Sequence, residues 1–133
     1  MQFFFCLNYK IEKRLFIILF IFFKERLIIH MLTGKWKITA HTPLGEMDLV
    51  ADFAASEDAA TFTGSVFDEK NNKTYEVQNG VLNDHHISYD MIIKFGLVPF
   101  NFHLEGDFTD DGKCSGEGKA LKMEGTYEGY KLA

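Results

Sequence analysis

Cysteine and proline are nearly missing from this chain of 133 residues, which has two of each: Cys6, Cys114, Pro43 and Pro99. Two cysteines, one of them near the amino terminus, make no disulfide framework, so the fold must come from burial of apolar surface. Cys114 suits a reducing compartment and reads as a small buried hydrophobe, because no partner base is identifiable near it. Metal-ligand spacings are absent too: there is no His-Glu-x-x-His and no cysteine-rich pattern, so neither a metal nor a cofactor is expected. The glycines of GEGKA, Gly116 to Ala120, lack the spacing and the following helix of a phosphate-binding loop, and no Ser-His-Asp or Cys-His arrangement is legible.

A basic patch is also missing from the body of the chain. The formal charge is −5, but residues 1–30 carry five basic against two acidic side chains, a net of +3, which leaves −8 on residues 31–133. An acidic body repels phosphate backbones, and no nucleic-acid partner is expected.

The first thirty residues, MQFFFCLNYKIEKRLFIILFIFFKERLIIH, contain no Gly, Ala, Pro, Ser, Thr, Val, Asp or Trp. Without small residues there is no cleavage site for a secretory signal. The longest apolar run, Leu15 to Phe23, falls short of the roughly 20 residues that span a bilayer. Three readings stand. Translation begins at Met31 and the upstream residues are a misread start; or the segment is an uncleaved anchor or interfacial helix with basic flanks; or it is a helix packed on the domain. The expected location is cytoplasmic, with a membrane-anchored form as the alternative if residues 1–30 are expressed. The stretch 15–29 is expected to be helical, and the chain divides into a leader over 1–30 and a domain over 31–133.

From Gly34 onward the pattern is period two, broken by turn chemistry every 8 to 14 residues or so, the spacing of an all-β barrel or sandwich. Trp36, Ile38 and Ala40 share one face of GKWKITAH. Met47, Leu49, Ala51 and Phe53 do so in EMDLVADF, and Phe62, Gly64 and Val66 in TFTGSVFD. TYEVQNGVL places Tyr75 and Val77 inward, with a bend or bulge at Asn79-Gly80. HHISYDMIIKF and FNFHLEGDF form the strongest hairpin, joined by GLVP, with Phe95 opposite Phe100. CSGEGKALK and MEGTYEGYKL alternate with inward glycines, which either permit sharp coiling or leave room for a ligand. About eight antiparallel strands with short loops resolve most simply as a closed up-and-down barrel, because closure removes exposed edges. A barrel of that size is filled by side chains or holds one small ligand.

Gly34, Lys35 and Trp36 on the first strand of such a barrel resemble the G-x-W feature of the calycin superfamily (lipocalins, fatty-acid-binding proteins, avidins), in which the Trp plugs one barrel end. GKWKITAHTPLGEMDLVADF with FTGSV, VQNGVL, FHLEGDF and MEGTYEGYKL is similar, over about residues 33–130, to a small bacterial barrel domain found alone or fused to flavin-dependent oxidoreductases. The resemblance implies the fold and a ligand-holding or accessory role, and no reaction.

The expected function is noncatalytic binding of a small apolar or aromatic molecule, with Trp36, Phe53, Phe62, Tyr75, His85, Tyr89, Phe102 and Tyr127 around it. One alternative is an accessory module with a filled barrel that docks on an oxidoreductase, or on a second copy of itself, through a patch near Phe67, Ile92 and Val98. Another is a small isomerase or cyclase using His85 with Tyr89. His85 alternates with Ile87 and Tyr89 and is expected to enter the barrel at one rim, where an imidazole can donate a hydrogen bond or act as a general base. In the assumed register Asp90 lies opposite Glu105 and Ile92 opposite His103, all facing outward, and His86 and His103 are too far apart to share a metal.

Overall fold

The computed structural model describes residues 2–132, with side chains from residue 17 onward. One helix, α1 (Gln2–Leu32), precedes nine strands: β1 (Gly34–Thr42), β2 (Gly45–Ala55), β3 (Phe62–Asp68), β4 (Lys73–Glu76), β5 (Gln78–Asn83), β6 (His86–Phe95), β7 (Val98–Phe108), β8 (Lys113–Ala120) and β9 (Met123–Lys131). They form one antiparallel sheet in the order β4-β3-β2-β1-β9-β8-β7-β6-β5. The protein is therefore an all-β, up-and-down barrel with a helical amino-terminal extension. Period-two alternation produces it, since each strand turns its apolar set inward and its charged set to water.

The count of nine rather than eight comes from one strand that changes partners. β4 and β5 are the two halves of TYEVQNGVL. β4 pairs with β3, and β5 with β6, with a register irregularity between Gln78 and Val81. Val77, at the pivot, donates its N–H to the Gly64 carbonyl at 2.9 Å, and Leu82 donates to Ala60 at 2.9 Å. Asn79 takes a positive φ of 53°, and a side chain at Gly80 would strike the Phe62 carbonyl. The expected bulge lies there. Beyond the pivot, Lys73–Glu76 on β4 and Met91–Phe95 on β6 lack a ladder partner on their facing edges, so the wall is nearly closed but carries a seam.

The β6–β7 hairpin corrects one expectation. Gly96 has φ 67°, which lets Gly96-Leu97 close a two-residue turn, and Val98 and Pro99 join the strand. Phe95 pairs with Val98 rather than with Phe100, so Asp90 faces His103, and Glu105 faces Ser88. A slip of two residues keeps each side chain on its face and changes only its partner. Pro99 is tolerated because pairing with β8 starts only at His103.

One end of the barrel is plugged. α1 runs further than residues 15–29, and its last turn sends Ile28 and Leu32 into the core. The Trp36 indole N–H donates to the Leu32 carbonyl at 2.8 Å, and its ring meets Phe108 edge to face at 6.5 Å. Trp36, 1 % exposed, is thus a plug. The Lys131 ammonium donates to the His30 and Met31 carbonyls at the helix carboxyl end, where the dipole favours a cation.

Candidate functional site

The plug fills one end, and aromatic rings fill the layer above it. Phe53, Phe62 and Tyr89 stand mutually edge to face, with ring centroids 5.5 to 6.0 Å apart. Above that layer, under the turns at 43–44, 96–97 and 121–122, a cavity of about 50 Å³ opens between Ile38, Leu49, Val66, Met91, Phe102 and Leu104. Its walls are almost wholly apolar. Larger hollows exist at the rim, such as one of about 710 Å³ around Glu69, Lys70 and Lys73. That hollow is lined mainly by polar and charged side chains, unlike the apolar cavity.

Glycine makes the space. Gly118 and Gly125 are cross-strand partners on β8 and β9 and both border the cavity. Gly106 and Gly116 serve a different purpose: a methyl on either would collide with the phenol end of Tyr127, which lies across them. Gly125 serves a third purpose as well, since a methyl there would also press on the His41 carbonyl of β1.

Tyr127 is 5 % exposed, borders the cavity, and its hydroxyl is buried with no hydrogen-bond partner. The Tyr89 phenol is close enough to act on it both electrostatically and as a hydrogen-bonding neighbour, though the two stop short of full hydrogen-bond geometry. Burial, first of all, raises the pKa of both phenols far above the ordinary 10. Both stay neutral, so each keeps its O–H as a hydrogen-bond donor. Burial also pushes the Cys114 thiol up to about 11, which makes it an inert filler rather than a nucleophile.

Of the eight residues expected around a ligand, the cavity brings together Tyr89, Phe102 and Tyr127. Phe53 and Phe62 fill the interior below it, and Trp36 forms the plug. Tyr75 lies in the seam, beside Ile92, Lys73 and Lys94. The expectation for His85 is corrected. It sits in the β5–β6 turn, not in the barrel, with its ring tilted against Phe108 at 5.3 Å and its two nitrogens on Asp84 (2.9 Å) and Asp110 (2.6 Å). It is not assembled with Tyr89 into an acid–base pair. The alternation fails here because residues 84 and 85 form the turn and β6 begins only at His86. Phe67, offered as part of an exposed patch, is half-buried, while Ile92 and Val98 are exposed.

The aliphatic wall, with Met47, Leu49, Met91, Ile93 and Leu104, is absent from the residues expected around a ligand. Nothing in period two separates a core aliphatic from a cavity-lining one. The available signal was the facing pair Gly118 and Gly125, where two neighbouring strands lack an inward side chain.

The outer wall carries a second pattern, histidines bracketed by carboxylates. His41 has Glu46 and Glu128, each at 3.1 Å. His103 has Asp90 at 2.7 Å and Glu105 at 3.6 Å. His86 has Asp107 at 2.9 Å. With both ring nitrogens on carboxylates the protonated imidazole is favoured: the Glu128 hydrogen bond foremost raises the pKa of His41, and the Asp90 bond that of His103. Among the described residues, no three potential metal ligands converge in a way that would hold an ion.

No protein-family profile matches the chain, and neither a curated protein nor a solved structure matches it.

Proposed function

We propose that the protein binds a small apolar molecule, or the apolar end of a larger one, in the cavity of the barrel without changing it chemically. The observation that carries this reading is the almost wholly apolar cavity under the turns at the hollow end of the barrel, lined by Ile38, Leu49, Met91 and Leu104 and bordered by Tyr127. A small ligand there replaces water against the apolar wall with carbon contacts.

Volume limits the ligand. A cavity that takes benzene is about 150 Å³, three times the present about 50 Å³. A fragment of a few carbon atoms fits as the walls stand. A whole aromatic ring requires Met47 and Met91 to repack, which their flexible, unbranched side chains allow. The barrel with its tryptophan plug also supports the calycin-like reading, in which a ligand-holding role is ordinary.

The test is native mass spectrometry of the full chain purified under mild conditions, alongside Ala40→Leu, which places a larger side chain on the cavity wall. The expected result is an adduct of low mass that is released on denaturation and depleted in the variant. An adduct retained equally by the variant, or none even after exposure to small ketones and ethers, contradicts the proposal.

A further inference from the structure

We propose that α1 is an in-plane membrane anchor: Ile17–Phe23 sink beneath the headgroups of one leaflet, and the basic residues on either side meet anionic lipid. Seven consecutive large apolar residues, Ile17, Ile18, Leu19, Phe20, Ile21, Phe22 and Phe23, are each 52 % to 63 % exposed. Successive residues of an α-helix advance by about 100°, so these seven point in every direction around the axis. A single partner helix covers one stripe and leaves the opposite side chains wet. A surrounding apolar medium covers them all.

Length and charge fix the mode. The uninterrupted apolar run Leu15–Phe23 is nine residues, about 14 Å at the rise of a helix, half of the roughly 30 Å hydrocarbon core. Among the described residues no helix is long and apolar enough to cross a membrane. Lys10, Lys13 and Arg14 precede the run in sequence, and Lys24 and Arg26 follow it. With cations in sequence on both sides of it and too short to cross, the run keeps both of its ends on one face of the bilayer, and the helix lies along the surface. Arg26 already stacks over the Phe22 ring at 4.8 Å, a pairing suited to the boundary between headgroups and acyl chains.

The charge division orients the rest. The net +3 of residues 1–30 draws the helix to an anionic leaflet, while the −8 of residues 31–133 repels the barrel from it. The joint is firm: Ile28 and Leu32 are buried in the core, and Trp36 and Lys131 bind the final helix carbonyls. The barrel therefore stands on its plugged end, with the cavity mouth facing water.

The experiment is vesicle flotation of the full chain with phosphatidylcholine alone and with phosphatidylcholine containing phosphatidylglycerol, at low and high salt, beside Ile18→Asp/Phe22→Asp. The expected result is flotation with the anionic vesicles, reduced several-fold without phosphatidylglycerol or at high salt, and lost in the double variant. Unchanged Trp36 fluorescence and β-type circular dichroism establish that the variant's barrel is intact. Two results overturn the proposal. One is wild-type chain left in the dense fraction with every vesicle. The other is a discrete oligomer, formed without lipid and dissolved by the aspartates, which assigns the apolar helix to a second copy.

Discussion

Tyr127 concentrates the tension between packing and function. Its ring lies over two glycines, and its hydroxyl is sealed from water without an acceptor. For the empty protein, Tyr127→Phe is expected to leave stability unchanged or raise it by about 1 kcal/mol in urea unfolding, because it removes an unsatisfied group and keeps the shape. A loss of about 1 kcal/mol or more means that the hydroxyl has a partner within the fold. Gly106→Ala acts oppositely. Its methyl meets the Tyr127 hydroxyl and the Ser115 carbonyl, and overpacking of this kind is expected to cost about 1–3 kcal/mol by the same measurement. Alternation in the sequence put Tyr89, Phe102 and Tyr127 inside. It did not show which inward residues face empty space, because that depends on how rings from three strands stack.

At the scale of the element, strands were legible and partners were not. Inward and outward faces follow from each strand alone, whereas register depends on the turn. Allowing four residues to the β6–β7 turn instead of two displaced every cross-strand pair by two positions and hid the meeting of Asp90 with His103. That pair makes a pH prediction. Hydrogen bonds from Asn79 and then His103 lower the pKa of Asp90, and the Asp90 bond foremost raises that of His103. The raised histidine contributes stability that is full below its ordinary 6.5 and is lost as pH rises through its folded value. The lowered aspartate contributes stability that is present above its ordinary 3.8 and is lost as pH falls through its folded value. Both groups are largely solvated, so the effect is small. Asp90→Asn is expected to bring the His103 titration, followed by NMR, back toward 6.5; an unmoved titration contradicts the pairing. The split of TYEVQNGVL into β4 and β5 was partly legible, since Asn79-Gly80 marked the irregularity. The change of neighbour from β6 to β3 was not, because it is a property of closing a ring of strands.

For the whole molecule, the two ends of the barrel have opposite characters. Trp36, Phe108, Leu32 and Ile28 seal one end. Gly118, Gly125 and the methionines leave the other hollow beneath short turns. The plug was legible from Gly34-Lys35-Trp36, but its lid was not: nothing in the strand pattern shows that Ile28 and Leu32, just ahead of the first strand, turn into the core. The central claim is that the hollow end takes a small apolar ligand. NMR titration of the methyl groups of Leu49, Met91, Ile93 and Leu104 with a small ketone such as butanone tests it most directly. The predicted result is a set of saturating shifts confined to these methyls and the Tyr127 ring, absent in Ala40→Leu. Shifts that never saturate, that map to the outer wall, or that persist in Ala40→Leu would contradict it.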